Sequence, residues 1–344
     1  MPATTWQQAS GDTDRDYSDL CVRWSVILNG PGRFGAWPDC KQAVIDSGQT
    51  RKPSDLQRFA EKMSDGDEVV LRRGTREVVA VGQIEGDYEW NDSFGDIDGW
   101  NIQHVRRVRW HWHNLTEPKT FETWALKQGD TTQKLTSQEV LDWVATLPKP
   151  ARRNQLPKLP SAPEAIGLGE VSRHLFDNGV ASTSITQVIG VVDELVRVGD
   201  WYRRTKIPSE HEAVATLVVP LLRALGWTPQ KMGIEWNHVD VALFQKLPRV
   251  DENLRVVVEA KRINLSCLSA RSQALGYAEG RKACHRLIVT DGLRYGVYRR
   301  NKDKSFTLHA YMNLARLRNE YQILECHGAR EALLSMAPEW SSEA

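Results

Sequence analysis

The chain has 344 residues, with 45 Lys+Arg against 44 Asp+Glu for a net charge of +1, and it is 41% hydrophobic and 26% charged. At roughly 150 residues per domain this length suggests two domains, and the composition excludes a disordered chain. No apolar run reaches membrane-span length, the first twenty residues have neither the basic start nor the apolar stretch of a secretory signal, and the five scattered cysteines lack a C-x-x-C pair, so a cytoplasmic protein without a membrane, zinc-ribbon or disulfide framework is expected.

In chain order, Cys21–Leu28 reads as a strand and Asn29-Gly-Pro-Gly32 as a turn. Lys52–Met63 has the helical spacing of Leu56, Phe59, Ala60 and Met63. Three strands are expected next, over Glu68–Arg73, Glu77–Ile84 and His104–Trp110. Thr136-Ser-Gln-Glu139 reads as a capping box before a helix over Val140–Leu147. Leu147–Pro163 then carries five prolines and four basic residues with no acid, the composition of an extended linker.

Beyond the linker, Ile185–Tyr202 is expected as a long amphipathic helix. Ser209-Glu-His-Glu212 caps a second helix whose stripe runs from Val214 to Leu225, with Pro220 inside it as a kink. Strands follow over Gly233–Phe244 and Arg255–Lys261, then a helix over Ser266–Gly280, then strands over Arg286–Thr290 and Tyr295–Arg299 joined by an Asp291-Gly292 turn. That order is an α/β sandwich. The tail from Leu314 reads as helical.

The chemistry sits on two of these strands. In Leu254-Arg-Val-Val-Val-Glu-Ala-Lys261, alternation sends Val257, Glu259 and Lys261 to one face. In His238-Val-Asp-Val-Ala-Leu-Phe244, Asp240 interrupts an apolar face. If the two strands pair through residues 245–253, Asp240 reaches Glu259. Two carboxylates held close repel unless a cation lies between them. Mg²⁺ takes hard oxygen ligands and keeps waters, and an ammonium alongside suits metal-assisted phosphodiester hydrolysis.

This set resembles the PD-(D/E)XK nuclease motif. Asp240 is followed after eighteen residues by Glu259-Ala-Lys261, the Ser209–Trp227 helix stands before it, and Gln273-Ala-Leu-Gly-Tyr277 stands behind it. The combination is similar to the nuclease domain of type I restriction R subunits, over roughly residues 205–300. It departs at Val239, where the motif's name has proline. The resemblance implies Mg²⁺, with Mn²⁺ as a substitute, on Asp240, Glu259 and the Ala260 carbonyl. It also implies a water positioned by Lys261 and an acidic cluster completed by Glu210. Gln273 and Tyr277, on one helix face, would steady the site or contact DNA. Read without the resemblance, Glu259 and Lys261 form a strand-end ion pair, and Glu210 is a first-turn acid suited to the helix dipole.

The first half resembles the EVE and YTH branch of PUA-like domains, over roughly residues 17–114. The resemblance rests on Ser64-Asp-Gly-Asp67 with its strand, on Val81-Gly-Gln-Ile-Glu-Gly-Asp-Tyr88, on His104–Trp110 and on the glycine-rich Asn29–Trp37. It implies a β-barrel with helices that holds a flipped, modified base between aromatic walls, which replace the base's lost stacking. The candidate walls are Trp24, Trp37, Tyr88, Trp90 and Trp100, and Arg106, Arg107 and Arg109 would meet phosphate.

The expected organisation is an α+β protein. A base reader covers residues 1–114, a helical and proline-rich connector 115–165, and a nuclease domain with a leading long helix 166–344. The expected function is a modification-dependent restriction endonuclease acting on modified double-stranded DNA as a homodimer. An inactive nucleic-acid clamp and an RNA-directed nuclease are the alternatives.

Overall fold

In a computed structural model the protein divides into two compact units, Met1–Ala162 and Pro163–Ala344. The structure describes residues 4–148, apart from 13 and 123, and residues 155–340; the stretch 149–154 of the expected linker lies outside the described residues. Each unit has its own sheet, so the chain is a mixed α+β protein. Among the described residues no helix is long and apolar enough to cross a membrane.

The first unit is built on strands β1 (Thr5–Ala9), β2 (Val26–Asn29), β3 (Glu68–Arg73), β4 (Glu77–Trp90), β5 (His104–His113), β6 (Lys119–Thr120) and β7 (Thr132–Lys134). They form one curled sheet in the order β2-β5-β4-β3-β1-β7, with β6 on β4. The curl has a local cause. The β4–β5 ladder is broken by irregularities at Val81/Gly82 and Glu85/Tyr88, and bulges of this kind bend and twist a strand. At the first of them a Cβ on Gly82 would stand 2.6 Å from Val108 Cγ1, so only glycine allows the two strands their approach.

Two expectations fail in this unit. Cys21–Leu28 is not one strand. Helix α1 (Ser18–Trp24) ends at Ser25, which adopts the left-handed conformation with φ 53°, and only then does β2 begin. The first unit also does not stop at residue 114. β7 pairs with β1, and Phe121, Leu126, Leu135, Val140 and Val144 bury against Val70, Val78 and Val81 of the sheet. Val140 and Val144 lie on the helix Gln138–Ala145, which is capped at Ser137 rather than Thr136 and without a side-chain bond. The expected connector is therefore largely one wall of the first core.

The second unit carries an eight-stranded sheet ordered β14-β15-β13-β12-β11-β10-β9-β8. Its strands are β8 (Met232–Trp236), β9 (Val239–Phe244), β10 (Leu254–Ala260), β11 (Arg286–Thr290), β12 (Arg294–Arg300), β13 (Phe306–Asn313), β14 (Glu320–Tyr321) and β15 (Cys326–His327). β8, β9 and β10 form an antiparallel meander, and β11 then returns parallel to β10. Helices Leu168–Asp177, Ser182–Arg204 and Ala329–Met336 pack on one face with the segment Glu210–Ala224, burying Leu195, Leu217, Leu221 and Leu333 against Val241, Val256 and Ile288. Helix Arg271–Ala278 covers the other face through Ala270, Ala274 and Ala278. The result is a three-layer sandwich.

Pro220 is accommodated by local rewinding. A π-turn over Val214–Val218 separates helix Glu210–Ala213 from helix Val219–Ala224, and Pro220 falls in the first turn of the latter, where its missing N–H is no loss. The tail is less helical than its composition suggests. Tyr321 and Leu324 belong to β14 and a short turn, and only Ala329–Met336 forms a helix. Arg286 of β11 docks that helix by donating to the carbonyls of Ser335 (2.6 Å) and Ala337 (2.8 Å).

Gly199 shows how closely the long helix sits on the sheet. A Cβ there would lie 2.4 Å from Leu293 Cδ1, in the turn between β11 and β12. Alanine should gain about 1 kcal/mol of helix propensity at this site but must displace a fully buried leucine. Overpacking of this kind costs about 1–3 kcal/mol. We expect Gly199→Ala to lower the melting temperature of the second unit by a few degrees, and a melt at or above wild type would show that the helix can retreat.

Candidate active site

The β9–β10 ladder pairs Val257 with Ala242 and Val258 with Val241. Continued by one residue, that register sets Asp240 opposite Glu259. The face is fixed by the core. Ala242, Phe244 and Val257 bury toward the Arg271–Ala278 helix, and strand alternation carries Asp240 and Glu259 to the same side.

Asp240 is half-buried and its Oδ2 accepts the Ala260 N–H at 2.7 Å. Its carboxyl is held above the ordinary range, first by burial, then by the charges of Glu235 and Glu210, against the Ala260 hydrogen bond and Lys261, which act the other way. Glu259 is only 2% exposed. Burial and then Asp240 push its carboxyl up to about 7, with Lys261 opposing. One oxygen, Oε1, lies 3.5 Å from Lys261 Nζ. The other, Oε2, is buried without a hydrogen-bond partner. An unpaired carboxylate oxygen in a dry site is costly unless a cation meets it.

Lys261 donates to Gln273 Oε1 at 2.9 Å, and Gln273 Nε2 donates to the Tyr277 hydroxyl at 3.1 Å. The two helix residues therefore act in series. Tyr277 orients the amide, and the amide orients the ammonium. Glu210 reaches the site by charge alone, acting on both Asp240 and Glu259. Ser209 caps its helix by accepting the Glu212 N–H at 3.2 Å, while the Glu212 carboxylate turns away to accept from the Tyr202 hydroxyl at 3.0 Å.

One acid was not expected. Glu235 lies near enough to Asp240 to raise its pKa, and it is held by His211 Nδ1 at 2.8 Å. It has a left-handed backbone, with φ 51°, just before a turn whose Asn237 and His238 are also left-handed at 49° and 69°. Hairpin arithmetic about Asn237-His238 would have set residue 235 beside residue 240.

The donor set suits a hard divalent cation. Asp240 and Glu259 offer carboxylate oxygens, and Mg²⁺ accepts few protein ligands because it keeps waters. Among the described residues no group of three or more His, Cys, Asp or Glu side chains is placed to hold a metal ion.

The predicted aromatic cage is not assembled. Trp37 is 8% exposed, packs with Cys40, Val44 and Leu56, and donates from Nε1 to Glu61 at 2.7 Å. The Tyr88 hydroxyl accepts the Trp37 N–H and lies 2.9 Å from His104 Nδ1. Trp90 meets His104 edge-on at 5.2 Å and donates to Asp92. Trp24 closes α1. Trp100 lines a cavity of about 790 Å³. The three arginines are also engaged within the protein. Arg106 is 2% exposed and donates to the carbonyls of Phe59, Ala60 and Met63, so it is a clamp on a helix end and cannot reach phosphate. Arg109 is paired with Glu85, and Arg107 donates to the Pro157 carbonyl. All five cysteines are free and buried.

A family model described as a domain of unknown function (DUF8426) matches residues 36–135. No curated protein matches the chain. The matched stretch runs from Ala36 to Leu135, across the 114 boundary drawn from sequence and through β7.

Proposed function

We propose that the chain is a Mg²⁺-dependent DNA endonuclease of the restriction type. It acts in the cytoplasm as a homodimer, so that two sites cut the two strands, and Mn²⁺ can replace Mg²⁺. The second unit hydrolyses the phosphodiester, and the first selects modified double-stranded DNA. The observation that carries this reading is Glu259: a buried carboxylate with an unpaired oxygen, faced by a second acid and flanked by an ammonium. A strand-end ion pair by itself does not account for the opposing Asp240.

Asp240, Glu259 and the Ala260 carbonyl would hold the cation. When bound, the cation supplies positive charge that polarises the phosphate and eases deprotonation of water. Lys261, steadied by Gln273, keeps an ammonium beside that position, where it orients water and offsets charge developing on phosphate oxygens. Glu210 and Glu235 add negative potential that favours cation entry.

The test is incubation of the full chain with matched plain and base-modified DNA, in Mg²⁺ and in EDTA. Cleavage confined to modified DNA and Mg²⁺ is the expected result. Equal cutting of both DNAs would remove the selection claim, and cutting by Asp240→Ala would remove the site.

A further inference from the structure

Trp37, Tyr88 and His104 do not line the cavity of about 790 Å³ in the first unit, and its lining is unusual in charge. Five cationic side chains face it, Arg15, Arg33, Lys52, Arg72 and Arg73, against two acids, Asp12 and Asp16. Some of that charge is already paired: Arg73 with Asp16 at 2.7 Å, and Lys52 with the neighbouring Asp55 at 2.6 Å. Among the described residues no ion pair joins Arg33 or Arg72 to a carboxylate, although the charge of Asp55 acts on Arg72, whose Nη2 donates to the Asp130 carbonyl at 3.4 Å. Arg33 is exposed at the rim. Arg72 is 5% exposed; its Nη1 donates to the Gly74 carbonyl at 2.8 Å, and its Nε is buried without a partner. A guanidinium held in this way favours an anion, since charge-assisted bonds to phosphate are among the strong ones.

The same cavity contains a flat aromatic surface. Trp100 is half-buried, with the Arg15 guanidinium over its ring at 5.0 Å and the Tyr17 ring 5.9 Å away. The cation orders the indole, and Trp100 lines the cavity, where a planar ligand group would meet it. The volume of about 790 Å³ falls within the roughly 300–1,000 Å³ of small-molecule sites and exceeds what an isolated base needs. A neighbouring recess shares Gln49, Lys52, Gly129 and Thr131 with it and adds Arg51 together with Asp55 and Asp130, so the excess of basic side chains is confined to the cavity itself.

We propose that this cavity binds a whole nucleotide, its base stacked on Trp100 and its phosphate drawn to Arg33 and Arg72. Phosphate is thus part of what is recognised, and a bare base or nucleoside is a poor ligand. The inference deepens the reading of the first unit as the selecting unit, by naming what enters it. The nucleotide has two possible sources, a free mononucleotide or a unit swung out of a polynucleotide, and the two present the same chemistry to these residues.

The experiment is calorimetric titration of the full chain in EDTA, so that binding is read independently of cleavage. The probes are 5′-deoxynucleoside monophosphates, the matching nucleosides and a short single-stranded oligodeoxynucleotide. The variants are Trp100→Ala and, at the exposed rim where folding is not at stake, Arg33→Glu. Mononucleotide binding that weakens roughly tenfold or more in both variants, with nucleosides much weaker, supports the proposal with a free ligand. Oligonucleotide binding alone, weakened by the same two substitutions, supports it with a polymer as the source. Nucleosides binding as well as nucleotides, or no binding that depends on Trp100 and Arg33, overturns it. Either overturning result leaves the Mg²⁺-dependent cleavage assay to stand or fall on its own.

Discussion

Glu259→Gln is expected to abolish cleavage and at the same time to stabilise the cation-free protein. The wild-type carboxylate is 2% exposed, has an orphaned oxygen and faces Asp240. Each feature penalises the folded state when no cation is present. Glutamine keeps the shape, removes the charge and brings a donor that Asp240 can accept from. Relieving one badly satisfied buried group is worth about 1–3 kcal/mol, and each kcal/mol moves the melting temperature of a unit this size by about 2–4 °C. The catalytic cost runs the other way, roughly a hundredfold or more, as for loss of one charge-stabilising group in an active site. Thermal melts in EDTA and in Mg²⁺ would read both halves. Wild type should gain stability from Mg²⁺ by mass action, and the variant should start higher and gain little. Asp240→Ala separates the roles further, because it also strands the Ala260 N–H that Asp240 accepts at 2.7 Å, so it should be inactive and less stable. A Glu259→Gln protein that melts below wild type in EDTA would mean that the carboxylate is already satisfied, and the case for a cation there would fall.

The pairing of the two acids was legible because strand alternation is rigid. Once Ala242 and Val257 must be buried, Asp240 and Glu259 have one face open to them, whatever the rest of the fold does. Lys261 followed from the same parity, whereas Gln273 came only from the family resemblance, with one helical turn relating it to Tyr277. Glu235 was hidden because Gly233–Phe244 was read without the tight turn at Asn237-His238, both left-handed, that folds residue 235 back beside residue 240. The first unit was less legible for a different reason. A tryptophan reports a large flat surface but not which side of a curled sheet it occupies, and Trp37 and Trp100 are alike in sequence while one is core and the other lines a cavity. Arginine is ambiguous in the same way. Arg106 has the look of a phosphate ligand and is spent on three carbonyls. At α1, Val22 and Trp24 favour a strand by propensity, and the helix wins through tertiary contacts of Leu20 and Cys21, both buried. Strand β7 has three residues, too few for any period to show.

The packed aromatic cluster of the first unit has a consequence in acid. His104 is fully buried at the start of β5, between Tyr88 and Trp90. The Tyr88 hydroxyl already accepts the Trp37 N–H, so its own proton is free to go to His104 Nδ1, an arrangement that requires the neutral imidazole. Burial, and then the charge of Lys52, push the His104 pKa down to about 4. In the unfolded chain the same imidazole titrates near about 6.5. Between those values the unfolded state holds a proton that the folded state refuses, so stability falls as pH drops from about 6.5 to about 4 and is untouched by this residue above that window. The full effect is about 3 kcal/mol, a large share of a typical domain's roughly 5–15 kcal/mol. His104→Gln removes the titration and keeps a polar group of similar reach. Denaturant unfolding of both proteins, compared at a series of pH values, isolates the term, because all other groups cancel in the difference. Wild type should lose about 3 kcal/mol relative to the variant between neutral pH and pH 4. A difference that stays flat would mean that folded His104 accepts its proton in place. The Tyr88 hydroxyl would then have to turn away, and the tie between Trp37 and the end of β4 would not hold the aromatic residues in the core as described.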